Sequence, residues 1–184
     1  MKSLYDFIIK PVGDLYKNEI QVGDKKLVLN TKIESWKFVN RLAEVIEVPI
    51  AFKTKISKGD KIIVHQNVFR VFYDMRGEKK KSRSFFKNDL YFCNIDQIYL
   101  YKNSNRWHSF GDRCFIQPIK DKSSTTLDKE QKLIGILKYG NSSLEALEIN
   151  EGDKVGFTPN SEWEFLVDKE RLYCMKSNDI VIKY

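Results

Sequence analysis

Few residues of this chain have the types and spacing that catalysis or metal binding requires. The three cysteines, Cys93, Cys114 and Cys174, lack the short spacing of zinc ligands, and the two histidines, His65 and His108, have no cysteine or carboxylate cluster beside them. The sequence contains neither a nucleophile-elbow motif nor a glycine-rich phosphate loop. We therefore expect a protein that is not an enzyme and uses no metal or cofactor, with its cysteines buried as small apolar residues.

One segment combines positive charge with aromatic residues. The stretch from Arg76 to Lys87 contains Lys79, Lys80, Lys81 and Arg83, followed by two phenylalanines. Such a segment is suited to contacting phosphates and stacking bases, or to meeting an acidic partner. The alternative is a solvated hairpin tip. The chain as a whole carries a net charge of +7, but its lysines are scattered among acidic residues, so this excess does not choose between the interpretations.

The strongest signal in the sequence is an internal repeat. Three blocks recur in the same order, and the offsets between their members are 107, 93 and 82 residues: Phe7 with Cys114, Gly59 with Gly152, and Leu90 with Leu172. Ordered repeats of this kind indicate two copies of one domain, which we place at residues 1–103 and 104–184. Residues 103–108 are expected to form the linker.

The decreasing offsets show where the first copy is longer. It carries about 14 extra residues before its Gly-Asp turn and about 11 extra residues after it. Insertions fall in loops, and loops carry function more often than strands do. The two extra segments of the first copy are therefore the first places to look for a binding site.

Short strands separated by turns predict an all-β fold of two small β-barrels. In the first copy we predict a long loop over residues 14–37, and in the second a polar loop over 120–131 and a turn over 140–143. The predicted strands are 5–10, 38–48, 61–64, 68–73 and 90–101 in the first copy, and 115–119, 132–139, 154–158, 164–167 and 172–182 in the second.

The order of these elements resembles the GroES-like co-chaperonins. The second copy carries the clearer match: the opening strand around Asp112-Arg113, the strand Ile134–Asn141 with Gly135 inside it, the turn Leu147–Phe157 containing Gly152-Asp153, and the closing strands Leu172–Ile182. This resemblance covers most of residues 111–184. The first copy is more divergent, and its basic segment lies outside the family pattern.

The resemblance implies a noncatalytic protein that forms a homo-oligomeric ring and caps a chaperonin, with ATP hydrolysed by the partner. In that family a mobile loop after the first strand docks through an aliphatic tripeptide. Leu27, Val28 and Leu29 occupy the corresponding place here. The alternative is that Val22 and these three residues form an extra strand packed on the barrel. The corresponding loop of the second copy has only Leu127 as a large aliphatic residue.

A second functional hypothesis keeps the barrel without the chaperonin. The chain would then bind nucleic acid, through Lys79, Lys80, Lys81 and Arg83, or serve as a structural, viral module. A GroES-like barrel also occurs in zinc alcohol dehydrogenases, but the metal ligands and nucleotide-binding domain that those enzymes need are missing. No apolar run approaches the ~18 residues of a membrane span, and the N-terminus lacks a signal-peptide pattern. We expect a cytoplasmic protein of a bacterial or phage-infected cell.

Overall fold

The protein is all-β and divides into two compact units, Met1–Asn105 and Arg106–Tyr184. The computed structural model describes residues 2–16, 19–22, 25–28, 39–120 and 130–184. In these ranges the only α-helix is α1 (Ser142–Glu145), with short 3-10 turns at Gln66–Val68, Ile95–Gln97 and Ser177–Asp179. None of the described helices is long and apolar enough to cross a membrane.

The first unit is built on one sheet with two separate hairpins. Its main strands are hydrogen bonded in the order β10-β5-β4-β1-β9-β8, while β2 pairs with β3 and β6 with β7. The strands are β1 (Phe7–Pro11), β2 (Glu19–Val22), β3 (Lys25–Val28), β4 (Leu42–Glu47), β5 (Lys61–Val64), β6 (Val71–Tyr73), β7 (Lys79–Lys81), β8 (Phe85–Lys87), β9 (Leu90–Cys93) and β10 (Ile98–Asn103).

The second unit contains a six-stranded sheet. Its strands are hydrogen bonded in the order β17-β14-β13-β12-β16-β15. The strands of this unit are β11 (Arg106–Ser109), β12 (Arg113–Lys120), β13 (Glu130–Tyr139), β14 (Lys154–Phe157), β15 (Trp163–Val167), β16 (Glu170–Lys176) and β17 (Ile180–Lys183).

The six main strands of the first unit and the six sheet strands of the second have the same order, and the inner pairs keep the same register. Phe7 of β1 pairs with Cys93 of β9, and the residues 107 and 82 positions later, Cys114 and Met175, pair between β12 and β16. The pairs on the other side of the sheet agree as well, because Val64 with Ile98 corresponds to Phe157 with Ile180. Even the register shift of β1 against β4 recurs between β12 and β13. The repeat read from the sequence therefore matches a repeat in backbone pairing.

Each unit also contains the same Gly-Asp turn before its third main strand. The Gly59 N–H donates to the Val45 carbonyl at 2.8 Å, and the Gly152 N–H donates to the Leu137 carbonyl at 2.8 Å. Both glycines have positive φ angles, +88° and +95°, which side chains other than glycine adopt only with strain. In both turns the aspartate after the glycine accepts a 2.8 Å hydrogen bond from a backbone N–H three residues earlier.

The core of each unit consists of the inward side chains of these strands. The three cysteines are buried, as predicted from their scatter in the sequence. In the second unit one cluster contains Cys114, Ile116, Leu137, Leu144, Ile149, Val155, Phe157 and Met175. Gly135 of β13 pairs with Pro118 of the neighbouring β12, and a Cβ there would stand only 2.3 Å from the Ile116 Cγ2 atom. This close approach explains the small residue inside that strand.

The predicted closed barrels are not found in the described part of the chain. In the described ranges of both units, the first and last strands of the main sheet are not hydrogen bonded to each other, so the sheet stays open. The end strand β8 has only three residues, and its register with β9 shifts between Phe85 and Lys87. Short and irregular edge strands of this kind stop a sheet from continuing.

Three local predictions also need correction. The region 14–37, predicted as a loop, contains β2 and β3, whose short alternation of apolar and polar residues suits a hairpin. Most of the predicted linker 103–108 is strand, because β10 ends at Asn103 and β11 begins at Arg106, leaving two residues with positive φ between them. The turn at 140–143 leads into α1, because the Asn141 side chain accepts hydrogen bonds from the N–H groups of Ser143 and Leu144.

Candidate partner-binding surface

The predicted aliphatic anchor lies in the insertion between β1 and β4. Leu27 and Val28 belong to β3, where they pair with Ile20 and Glu19 of β2. Leu29 lies outside the described residues. Val22 lies in β2, and β2 and β3 pair with each other in a two-stranded sheet. That these residues pack on the barrel, as the alternative holds, stays a prediction. The binding role of the triplet stays a prediction.

The base of this insertion is held by a buried asparagine. Asn40, which is 2% exposed, donates from its side-chain Nδ2 atom to the carbonyls of Val12 (2.8 Å) and Asp14 (2.9 Å). Its side-chain oxygen accepts from the Leu42 N–H at 3.1 Å. A buried amide that satisfies several backbone groups fixes their positions, because breaking these bonds would leave polar groups unpaired. The two ends of the insertion are thereby clamped together beside the sheet.

Tyr16 extends this base to the second insertion of the unit. Tyr16 forms an isolated antiparallel bridge with Val39, next to the Asn40 clamp. Its hydroxyl accepts a hydrogen bond from the Val71 N–H at 2.8 Å and lies 3.2 Å from the Val71 carbonyl oxygen, to which it donates. Val71 is the first residue of β6. The two segments in which the first unit exceeds the second are therefore in direct contact.

The basic segment forms one strand of the β6–β7 hairpin. Lys79, Lys80 and Lys81 are β7, and they pair with Tyr73, Phe72 and Val71 respectively. Because side chains alternate across a strand, Lys79 and Lys81 share one face of the hairpin and Lys80 lies on the other. The structure thus separates three consecutive lysines that the sequence analysis treated as a single patch.

Lys80 is neutralised by carboxylates of its own hairpin. Its Nζ atom lies 2.7 Å from Glu78 Oε2 and 3.6 Å from Asp74 Oδ2. The hydrogen bond to Glu78, together with the charge of Asp74, raises the pKa of Lys80. Lys80 and Glu78 are exposed and Asp74 is half-buried, and ion pairs at such a surface contribute little to stability because water screens them. Lys80 is nevertheless a weaker candidate for phosphate contact than its sequence context indicated.

The other predicted cations differ in their surroundings. The Lys81 Nζ atom lies 3.8 Å from the centroid of the Phe85 ring and 3.7 Å from Asp89 Oδ1. Lys79 and Arg83 are exposed and have no carboxylate partner among the residues that the structure describes. Of the four predicted contact residues, two are therefore unmatched by any described carboxylate.

The turn that closes the hairpin is organised by Asp74. Its Oδ1 atom accepts from the N–H groups of Arg76 and Glu78, both at 2.9 Å, and its own N–H donates to the Glu78 carbonyl at 3.0 Å. The hydrogen bond from the Glu78 N–H, and then that from Arg76, lower the pKa of Asp74. Gly77 takes a φ of +77°, which closes the turn without strain. This network holds Met75 and Arg76 at the tip.

The second unit holds the end of its own loop differently. Residues 121–129, including Leu127, lie outside the described part of the chain. Glu130, the first residue of β13, accepts a 2.6 Å hydrogen bond from the Tyr173 hydroxyl and forms an ion pair with Arg171. Burial, and next the hydrogen bond to Glu130, raise the pKa of Tyr173 to about 12. Tyr173 corresponds to Tyr91 of the first unit, whose buried hydroxyl has no partner in the structure as described.

No geometry in the described ranges suggests catalysis or metal binding. No group of three or more His, Cys, Asp or Glu residues there could hold a metal ion. Burial raises the pKa of Cys93 and of Cys114, which keeps both thiols protonated and unreactive. These observations concern the described residues alone, and the noncatalytic role stays a prediction.

Sequence reasoning missed three residues of this surface. Asn40 and Tyr16 act through contacts to backbone groups distant in the chain, and a single sequence carries no direct signal for such contacts. Met75 could have been found, because Asp74-Met75-Arg76-Gly77 has aspartate and glycine at the positions that turns favour. An apolar residue inside such a turn is expected to be exposed.

No protein-family model matches the chain, and no curated protein matches it.

Proposed function

We propose that this protein is a tandem GroES-like co-chaperonin. Each chain supplies two GroES-like domains with incompletely closed sheets, and the chains assemble into a ring that caps a chaperonin chamber. The chaperonin hydrolyses ATP, and this protein contributes binding and enclosure without catalysis. Its setting would be the cytoplasm of a bacterial or phage-infected cell.

The observation that carries the proposal is the shared topology of the two units. Both sheets have one strand order, their inner pairs share one register, and both carry the Gly-Asp turn at the same place. In the first unit the insertion with Leu27, Val28 and Leu29 lies between the first two main strands. That is the place where the family resemblance puts the chaperonin-binding loop.

The energetics favour an anchor that is presented several times. A fully buried aliphatic side chain contributes about 1.5–3 kcal/mol, so three residues provide a useful but limited binding energy. Ordering the insertion opposes binding. A ring that presents several anchors at once recovers affinity, because each later contact forms at a high effective concentration.

Strand β17 offers an edge for assembly. It lies at the end of the second sheet, and Val181, Ile182 and Tyr184 around it are 58%, 48% and 61% exposed. An apolar edge strand of this kind suits the addition of a strand from a neighbouring subunit. Because each chain has two domains, seven chains would form a double-domain ring, and rings of other sizes are equally consistent with the proposal.

The proposal is tested by binding to a purified bacterial chaperonin. Wild type, Leu27→Asp/Leu29→Asp and the control Leu166→Asp are co-sedimented with the chaperonin with and without ATP. Leu166 is an aliphatic residue of β15 that is 71% exposed, so its replacement makes the same chemical change elsewhere. We expect nucleotide-dependent binding of wild type and control, and loss of binding for the double variant.

Two results would oppose the proposal. If none of the proteins binds with ATP, the co-chaperonin role is wrong for that partner. If the double variant binds as wild type does, the anchor is elsewhere in the chain. Circular dichroism and urea unfolding of each variant show whether a loss reflects binding or folding.

A further inference from the structure

The β6–β7 hairpin has no counterpart in the second unit. It lies between β5 and β8, whereas only residues 158–162 connect the corresponding strands β14 and β15. The second sheet forms with the same strand order, and a strand β15 at its end, without such a hairpin. Completion of the sheet therefore does not account for the hairpin.

The hairpin ends in an apolar side chain that is held out into solvent. Met75 is fully exposed, and the hydrogen bonds around Asp74 fix the turn that carries it. Exposing a methionine on an ordered turn has no benefit for the folded monomer, because its apolar surface gains nothing from water. Its flexible thioether side chain is adaptable in protein–protein contacts.

Charge is divided unequally between the faces of the hairpin. On the face of Phe72, the ammonium group of Lys80 is matched by Glu78 and Asp74. On the opposite face, Lys81 lies 3.7 Å from Asp89 Oδ1, whereas Lys79, which pairs with Tyr73 nearer the tip, has no carboxylate partner among the described residues. Arg76 at the tip is likewise unmatched there. Unpaired positive charge and apolar surface thus occur together around the tip.

The hairpin is attached to the base of the candidate docking insertion. Tyr16 belongs to the residues that lead into that insertion, and its hydroxyl holds both backbone groups of Val71. The residues that lead into the insertion therefore contact the root of the hairpin.

We propose that the hairpin tip, defined as Tyr73, Met75, Arg76 and Lys79, is a second docking element that binds an acidic protein surface. This inference rests on the proposed function, because the surface would belong to the chaperonin that binds Leu27-Val28-Leu29. Arg76 and Lys79 supply attraction and orientation, while Met75 and Tyr73 supply apolar contact area. A protein surface fits better than nucleic acid, because Lys80 and Lys81 already face carboxylates and the apex residue is aliphatic.

The test compares two triple variants that remove the same kinds of group. The tip variant is Met75→Ser/Arg76→Ser/Lys79→Ser. The control is Ile50→Ser/Lys53→Ser/Lys55→Ser, which removes one exposed apolar and two exposed basic side chains elsewhere in the first unit. Affinity for a purified bacterial chaperonin with ATP is measured at about 0.05 M and about 0.2 M salt, together with binding to poly(dT).

The expected result is roughly tenfold weaker chaperonin binding for the tip variant and a flatter salt dependence, with the control unchanged. Equal affinity of wild type and tip variant would overturn the inference and leave the proposed function intact. Loss of poly(dT) binding in the tip variant, with unchanged chaperonin binding, would overturn it in favour of a nucleic-acid contact. No chaperonin binding by wild type would overturn both proposals together.

Discussion

The Tyr16 hydroxyl hydrogen bonds to both backbone groups of Val71: it accepts from the N–H at 2.8 Å and donates to the carbonyl oxygen at 3.2 Å. These residues are 55 positions apart, and each lies in one of the two segments in which the first unit is longer than the second. A hydroxyl used in this way replaces a neighbouring strand, because it satisfies the N–H and C=O groups that another strand would otherwise pair. The Tyr16 side chain thus joins the two additions to the first unit.

Tyr16→Phe should loosen this joint. The variant leaves two backbone groups of Val71 without their partner, so we expect a loss of about 1–2 kcal/mol in the free energy of unfolding. Amide hydrogen exchange should become faster in β6 and β7. Urea unfolding and exchange measurements check both effects, with Tyr5→Phe as a control, since Tyr5 is 71% exposed. Unchanged exchange in the hairpin would show that Tyr16 does not hold it.

Tyr91→Phe, in contrast, should raise the free energy of unfolding or leave it unchanged. Tyr91 is 1% exposed, and its hydroxyl has no hydrogen-bond partner in the described structure. Burial, and then the charge of Asp89, raise its pKa to about 12. Removing an unsatisfied buried hydroxyl should leave the free energy of unfolding unchanged or raise it by about 1 kcal/mol.

The matching change in the second unit provides a contrast. Tyr173→Phe removes the donor to Glu130, so we expect destabilisation of about 0.5–1.5 kcal/mol. Urea unfolding compares the two variants. A larger loss for Tyr91→Phe than for Tyr173→Phe would contradict the difference between the two hydroxyls.

Gly135→Ala should destabilise the second unit. A Cβ at Gly135 would lie 2.3 Å from Ile116 Cγ2 and 2.8 Å from the Gln117 carbonyl oxygen, and the backbone contact cannot be relieved by a rotamer change. We expect a loss of about 1–3 kcal/mol, measured by thermal unfolding. The first unit has Ala43 at the same register position, paired with Pro11 as Gly135 is with Pro118. If Gly135→Ala were as stable as wild type, the second sheet would accommodate a Cβ at this position as the first sheet accommodates Ala43, and the predicted clash would be wrong.

The pH dependence of stability should include the turn aspartate Asp153. Its hydrogen bond from Lys183, and then that from the Asn150 backbone, lower its pKa in the folded protein below the value of 3.8 for a free side chain. A lowered folded-state pKa means that the contribution is present above about pH 3.8 and is lost as the pH falls through the folded-state value. The midpoint temperature of thermal unfolding should therefore fall less steeply between pH 6 and pH 2 for Asp153→Asn than for wild type. Parallel curves would contradict this assignment.

The sequence predicted the architecture of the sheets better than their edges. Three short repeated blocks located residues whose partners keep the same register in both units, because paired strands must both preserve their apolar alternation. The Gly-Asp turns were predicted correctly for a similar reason, since positive φ at Gly59 and Gly152 leaves little choice of residue. Whether a sheet closes depends on the length and regularity of its last strands. Because β8 has only three residues, its sequence is too short to predict that the strand is irregular.

The candidate surface was predicted only in part. The basic residues were found by composition, but which of them are neutralised depends on the hairpin register, which places Lys80 beside Asp74 and Glu78. The connection of Tyr16 to Val71 is a contact between a side chain and backbone groups, for which a single sequence carries no pattern. The strands of the 19–28 region are four residues each, and their mixed lysines and valines resemble a polar loop.

Enclosure of a client protein tests the central proposal most directly. A denatured client bound to a bacterial chaperonin is treated with protease after addition of ATP and this protein. We predict that the client becomes protected with wild type and with Leu166→Asp, and that it is digested with Leu27→Asp/Leu29→Asp. Digestion of the client at the same rate with and without the wild-type protein would contradict the proposed capping role.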